Sequence, residues 1–216
     1  MDDIVKQALA KWPNVPDCYG WLGLDARGHW YLRDDAVQAA GTFPHSKGSL
    51  LQHDKLIAFI ARNYEPDDQG QWFFQNGPQG VFVTLEYTPF IYRAASASDA
   101  PLALESHTGA PVSTIRGAWL DESGTLLLET EHGIGLVHDR DLDTVFPFLI
   151  DANGAPLEEK VIEKLMEALE RHEDVPLWLR VRETNVRIAP IQSAKVSQRF
   201  GFVADPQPPA GHDACR

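Results

Sequence analysis

Trp21-Leu22-Gly23-Leu24-Asp25-Ala26-Arg27-Gly28-His29-Trp30-Tyr31-Leu32 decides the fold. Two runs of large apolar residues flank Asp-x-x-Gly. Asp at the first position and Gly at the fourth suit a type I turn, so the stretch reads as a β-hairpin. Trp119-Leu120, Asp121-Glu122-Ser123-Gly124 and Leu126-Leu127-Leu128-Glu129 repeat the arrangement. Leu24-Asp25-x-x-Gly28-x-x-x-Leu32 aligns with Leu120-Asp121-x-x-Gly124-x-x-x-Leu128 without a gap. The pattern recurs at Asp67 to Gly70 and Asp151 to Gly154, where the two halves of the sequence do not correspond. Two readings stand: a duplicated unit, or sound turn chemistry used independently.

The neighbouring segments extend the pattern. Ile4, Val5, Ala8 and Leu9 predict a short N-terminal helix over Asp2 to Ala10, ended before Pro13. Residues 36–48 hold Gly41, Pro44 and Gly48 without periodicity and read as a loop that leads to Ser49 as the cap of a helix over Leu50 to Tyr64. Leu56, Ile57, Ile60 and Tyr64 give that helix its apolar stripe. Trp72-Phe73-Phe74 and Val81 to Tyr87 read as a second hairpin. Residues 94–111, rich in Ala, Ser, Pro and Gly, mark the boundary between halves. In the second half a helix is expected over Pro156 to His172, then strands through Leu177, Leu179 and Val181 and through Val186-Arg187-Ile188. The expected fold class is α+β: two tandem antiparallel β-rich lobes, as curved sheets or barrel-like, each with one main helix. The expected domains are residues 1–98, the N-terminal helix and first lobe; 110–203, the second lobe with its long helix; and 204–216, a disordered Pro-rich tail.

Composition narrows the functional classes. The 216 residues carry 31 acidic and 19 basic side chains, a net charge of −12, so the long-range field repels nucleic acid and anionic membranes. Cys18 and Cys215 are the only cysteines, too sparse for a disulfide framework or a paired zinc spacing. The acidic start Met1-Asp2-Asp3 followed by no apolar run lacks the pattern of a secretory signal, and no uncharged run reaches the length of a membrane span. A cytoplasmic protein is the expectation.

Gly28-His29-Trp30-Tyr31, Trp72-Phe73-Phe74 and Leu85-Glu86-Tyr87-Thr88-Pro89-Phe90, in this order and spacing, resemble an uncharacterised proteobacterial family of unknown function over residues 17–203. The resemblance implies two successive β-rich lobes and a link to signal transduction, and it brings no catalytic residues. The chain departs from the pattern at residues 36–48 and 156–172.

The chemistry-bearing motifs are few. No Gly-x-x-x-x-Gly-Lys-Ser/Thr loop, Gly-x-Ser-x-Gly elbow or Cys/His pairing is present, so no cofactor is implied. His132 and His138 cluster with Glu129, Glu131 and Asp139. In one straight strand the two histidines lie ~20 Å apart, too far to share a metal, and a solvated hairpin is the plainer reading. Arg171, Arg180, Arg182, Arg187, Lys195 and Arg199 face only Glu173, Asp174 and Glu183 in residues 171–200, a local inversion of the chain's charge. Trp178, Arg180 and Arg182 share a strand face, with Arg187 on the return strand. Because a guanidinium fork suits phosphate or carboxylate, these four are the candidate ligand-binding residues. The opposing reading is that they pair with the chain's own acids. The six tryptophans read as core, with a cleft between the lobes lined by Trp21 or Trp30 as an alternative ligand site.

A non-enzymatic regulatory or binding module is therefore the expected function, with a small anionic ligand or a protein as partner. The runner-up is an enzyme working through dispersed carboxylates and histidines in a cleft between the lobes, and the third reading is a homo-oligomeric structural protein.

Overall fold

The Asp-x-x-Gly segments that begin at Asp25, Asp67, Asp121 and Asp151 form one and the same turn, whereas Asp17-Cys18-Tyr19-Gly20 runs into the first strand and its carboxylate accepts the Gly80 N–H at 3.0 Å. The computed structural model describes residues 2–12, 14–95, 101–157, 167–168, 171, 173, 175–182 and 184–209. In each turn one carboxylate oxygen of the Asp accepts the backbone N–H groups two and four residues on. Asp25 takes Arg27 and His29 at 2.9 Å each; Asp67 takes Gln69 and Gln71 at 2.9 and 2.8 Å. Asp121 takes Ser123 and Thr125 at 2.9 and 2.8 Å, and Asp151 takes Asn153 and Ala155 at 2.8 and 2.9 Å. The fourth residue adopts φ of 81°, 78°, 78° and 79° in the four turns, a left-handed backbone that only glycine adopts without cost. The Gly N–H closes each turn on the Asp carbonyl at 3.0 to 3.1 Å.

These turns organise two sheets. The first contains β1 (Cys18–Leu24), β2 (Trp30–Leu32), β3 (Ser49–Leu50), β4 (Tyr64–Pro66), β5 (Trp72–Asn76) and β6 (Gln79–Leu85), in the order β3-β2-β1-β6-β5-β4. The second contains β7 (Phe90–Ala95), β8 (Ala103–Ser106), β9 (Ile115–Leu120), β10 (Leu126–Thr130), β11 (Ile134–Val137), β12 (Leu149–Ile150), β13 (Leu177–Val181) and β14 (Thr184–Pro190). Its order, β8-β7-β11-β10-β9-β14-β13-β12, is the first sheet's order with two strands added beyond β11.

The correspondence extends to pairing sense and register. β1 pairs antiparallel with β2 and parallel with β6, and β9 does the same with β10 and β14. Leu24 faces Trp30 and Leu85, and Leu120 faces Leu126 and Pro190. Glu86 N–H donates to the Leu24 carbonyl and Ile191 N–H to the Leu120 carbonyl, both at 2.9 Å. The turns at Asp67 and Asp151 thus occupy matching places, each following the fourth strand of its repeat, although sequence spacing set them out of correspondence. The chain between β12 and β13 is longer than that between β4 and β5, which produces the mismatch. The lobes are β-rich as expected, and each adds a parallel seam, β1 with β6 and β9 with β14, to its antiparallel hairpins; the second sheet has a further parallel pair, β11 with β7.

The chain divides into two units, residues 1–89 with 201–216, and residues 90–200. In the first, the helix α1 (Asp3–Lys11) buries Val5, the short helix α2 (Asp35–Ala40) runs into the stretch 36–48 expected to be loop, and the helix α3 (Asp54–Arg62) buries Ile60. Asp34 caps α2 by accepting the Val37 N–H at 2.9 Å. Ser49 does not cap α3: it lies in β3, and His53 Nδ1 accepts the Leu56 N–H instead. Leu22, Leu24, Trp30, Val83 and Leu85 form the centre of this core. The segment expected to be a disordered tail begins inside the fold, where the Ala204 carbonyl accepts the Leu85 N–H at 2.7 Å and Pro206 is buried. Residues 210–216 lie outside the described residues.

In the second unit, Leu127, Leu128, Leu136, Leu177, Leu179 and Ile188 are buried, joined by Tyr92, whose hydroxyl bonds Thr130 at 2.7 Å. The expected boundary loop contains β8, which pairs with β7 from Tyr92–Ser106 to Ala95–Ala103. The helix expected over 156–172 falls largely outside the described residues. The helix α4 (Leu142–Val145) is followed by a 3-10 turn at Phe146–Phe148, which leads into β12. No helix among the described residues is long and apolar enough to cross a membrane.

The turn glycines differ in what a side chain would meet. A Cβ added to Gly154 has nothing within 4 Å, so Gly154→Ala adds only left-handed strain, about 1–2 kcal/mol. A Cβ on Gly70 would overlap the Gly201 carbonyl, so Gly70→Ala should cost roughly twice as much or more in urea unfolding. A second expected outcome concerns His107. Its Nε2 is sealed from solvent, its Nδ1 accepts the Ile91 N–H, and burial lowers its pKa from 6.5 to about 3. Between those values the unfolded ring holds a proton that the folded ring does not, so stability is full above pH 6.5 and falls as pH drops toward 3. The loss is up to about 1.4 kcal/mol per pH unit. His107→Gln should flatten the slope of unfolding free energy against pH in that window and leave it unchanged above pH 7.

Candidate functional site

The end of β14 is pinned on its inner side by Leu120 and then turns away as Gln192, a 3-10 turn over Ser193–Lys195 and the helix α5 (Val196–Phe200). Two anchors fix this segment. Glu122, in the β9–β10 turn, accepts both the Ser193 N–H at 2.9 Å and the Ser193 hydroxyl. Val196 is 1% exposed, and the Phe200 ring meets Trp119 edge-on at 4.8 Å. Between these anchors lies a cavity of about 400 Å³ lined by Pro190, Ile191, Gln192, Lys195, Gln198 and Arg199.

The cations of this cavity are Lys195 and Arg199, four residues apart along the chain. The Arg199 guanidinium lies 5.3 Å over the Trp119 ring and 5.7 Å from Phe200, which restricts its motion without neutralising it. Among the described residues neither cation forms an ion pair with a carboxylate. Apolar walls, two amides and two positive charges form a surface suited to a small anion.

The strand-pair residues singled out from sequence sit elsewhere on the same sheet. Leu177, Leu179 and Ile188 turn inward, so Trp178, Arg180 and Arg187 fall on the opposite face. Trp178 is half-buried and directly opposite Arg187. The Arg180 guanidinium donates to the Gly154 carbonyl at 2.7 Å and so ties the Asp151 turn to β13. Arg182 is exposed at the β13–β14 turn with φ of 52°, away from that bond. The register places Trp178 and Arg187 where the first sheet has Phe73 and Phe82, an aromatic pair 5.4 Å apart. Lys195 and Arg199, which belonged to the same basic run, are the ones that reach a cavity.

The carboxylate and histidine cluster is occupied by the chain's own loops. Burial would raise the Glu131 carboxyl, but the N–H groups of Ser113 and Thr114 and the nearby His132 bring it down to about 2. His132 Nε2 bonds the Pro111 carbonyl at 2.9 Å, and His138 Nδ1 lies 3.0 Å from Asp139. Asp141 accepts Arg93 Nε at 2.6 Å and the Ala94 N–H at 3.0 Å. Among the described residues no group of three His, Cys, Asp or Glu side chains is placed to hold a metal ion.

One polar cluster had no signal in sequence spacing. Lys47 Nζ lies 3.2 Å from Asp25 and 3.1 Å from Glu86, beside the Tyr31 and Phe43 rings. Burial would raise the Asp25 carboxyl, yet the two turn N–H groups and Lys47 hold it below the ordinary aspartate range. Burial would lower Lys47, and the bonds to Glu86 and Asp25 raise it instead. The cluster clamps the loop at residue 47 onto the first hairpin. Of the tryptophans, Trp30, Trp72 and Trp119 are buried, Trp21 and Trp178 are half-buried, and Trp12 is half-exposed.

Comparison with known proteins gives a family and no activity. A DUF1285 family protein from Silicibacter pomeroyi DSS-3 is similar in structure, with a TM-score of 0.48 and 10% identity over 82% of each chain. A DUF1285 family protein from Shewanella baltica OS155 gives a TM-score of 0.39 and 17% identity over 57% of this chain and 88% of that one. No curated protein matches the sequence. The model of the family DUF2944, described as "Protein of unknown function (DUF2946)", matches residues 1–207, and the chain belongs to that family.

Proposed function

We propose that this chain is a cytoplasmic regulatory module that binds a small polyvalent anion, a phosphate or a carboxylate, in the cavity at the end of β14. One observation carries the reading: Lys195 and Arg199 line one cavity without a carboxylate partner among the described residues, in a chain of net charge −12. Elsewhere in this acidic chain Arg93 pairs with Asp141, and Lys47 with Asp25 and Glu86. Arg199 supplies a planar fork held over Trp119, and Lys195 supplies a point charge. Gln192 and Gln198 offer amide groups that discriminate among oxyanions by geometry.

Trp178, Arg180, Arg182 and Arg187 take a secondary part in this reading, the three arginines adding positive field to the same unit and steering the anion toward it. A binding role is favoured over catalysis because the cavity lining holds no carboxylate, histidine or cysteine to transfer a proton or attack a substrate.

Isothermal titration with inorganic phosphate, pyrophosphate and citrate tests the proposal. Arg199→Gln and Lys195→Gln should each weaken the tightest anion about tenfold or more, equivalent to about 1.4 kcal/mol. Arg180→Ala with Arg182→Ala should weaken it less than about threefold at physiological salt, because neither lines the cavity and charges outside it are screened. Equal affinity in wild type and in both cavity variants would overturn the assignment.

A further inference from the structure

In the first unit a second cavity, of about 290 Å³, is lined by Arg33, Gln38, Thr42, Phe43, Asp205 and Gln207 together with neighbouring backbone. Arg33 is 5% exposed. Its Nε donates to the Ser46 carbonyl at 3.1 Å, one terminal nitrogen to the Gly20 carbonyl at 3.3 Å and the other to the Gly41 carbonyl at 2.8 Å. A guanidinium carries five N–H donors, so these bonds leave two. Carbonyl oxygens stabilise the charge but do not cancel it, and a buried cation without a counter-charge is costly.

Arg33 forms no ion pair with a described carboxylate. Asp205 lines the same cavity and acts on Arg33 electrostatically from beyond ion-pair distance. It is exposed, and the Thr84 hydroxyl donates to it at 3.4 Å. The cavity therefore carries one fixed cation and one fixed anion, held apart by separate anchors: three loop carbonyls for Arg33, and the Leu85 to Ala204 bond for the backbone before Asp205.

This pairing selects among ligands. A simple carboxylate would gain Arg33 and be repelled by Asp205; a simple amine would suffer the reverse. A molecule with both charges gains at both ends. We propose that this cavity binds a small zwitterion of the α-amino-acid class, its carboxylate taking the two remaining Arg33 donors and its ammonium turned to Asp205. The Phe43 ring, beside which the guanidinium lies at 5.8 Å, gives the cavity an apolar wall for a short side chain. Arg33 also ties residues 41 and 46 to β1, so ligand binding tightens a loop that is already braced. The site belongs to a different unit from the Lys195 and Arg199 cavity, and neither proposal depends on the other.

The test is isothermal titration of the full chain with glycine, L-alanine, L-serine and L-proline, and with propionate and ethylamine as single-charge controls. At least one amino acid should bind with a Kd of about 1 mM or tighter, saturating by about 10 mM, and the controls should bind at least about tenfold more weakly. Arg33→Lys removes the brace of the loop together with the ligand donors, so the diagnostic variant is Asp205→Asn at the exposed end of the site. It should weaken the amino acid about tenfold, leave propionate binding equal or stronger, and leave the circular dichroism spectrum unchanged. Arg199→Gln should leave amino-acid binding as in wild type. Propionate binding as tight as the amino acid, an Asp205→Asn variant with undiminished amino-acid affinity, or no binding heat from any amino acid would overturn the proposal.

Discussion

A single aspartate oxygen accepting two backbone N–H groups, across a turn that ends on a left-handed glycine, is the interaction on which both sheets depend. It does three things at once. It satisfies two donors that a hairpin end would otherwise leave to water, it fixes the turn's sense, and it sets the register of the strands that leave it. At Asp25 and Asp121 it closes the hairpins that supply both centre strands. At Asp67 and Asp151 it closes the return from the fourth strand of each repeat. Each repeat then needs only one parallel seam to join its two hairpins, and that seam carries the same register in both units.

Repetition of the frame shows where the two units have diverged. Gly23 in β1 leaves room for the Phe43 ring, whereas Trp119 at the matching place in β9 brings its own ring and packs on Phe200 and Arg199. The residues around that one position therefore decide which segment covers each sheet. In the first unit it is the loop braced by Arg33 and Lys47; in the second it is the segment from Gln192 to Phe200, braced by Glu122. Both candidate cavities lie beside those covering segments. The frame is common, and the chemistry sits in what was laid over it.

The sequence disclosed the parts of the fold that rest on local chemistry. The Asp25 and Asp121 hairpins, the stripe of α3 through Leu56, Ile57 and Ile60, and the inward alternation of Leu177 and Leu179 were legible because turn geometry and periodic burial act within a few residues, whereas Tyr64, expected in the same stripe, opens β4. The parallel seams were not legible, because Leu24 meets Leu85 only through tertiary closure. The helix α2 was hidden by the glycine and proline that follow it, although Asp34 before Asp35-Ala36-Val37 carried a capping signal. Ser49 was misplaced because β3 is two residues long and α3 takes its cap from a histidine. At the site, the charge inversion over residues 171–200 includes Lys195 and Arg199, but the residues singled out from it, Trp178, Arg180, Arg182 and Arg187, do not line the cation-bearing cavity. Which cations reach the cavity depended on Gly154, which holds Arg180, and on Trp119 and Glu122, which place the segment from Gln192 to Phe200, residues far away in sequence. Arg33 gave no signal, because a lone arginine after a strand is ordinarily exposed.

The central claim, that these four turns are locked by their aspartates, is tested most directly by amide hydrogen exchange on the intact protein, read residue by residue. The amides of Arg27, His29, Gln69, Gln71, Ser123, Thr125, Asn153 and Ala155 should exchange well below their unstructured rates, with the fourfold pattern preserved across both units. Exchange of these amides at unstructured rates, while the strand amides beside them stay protected, would contradict the account.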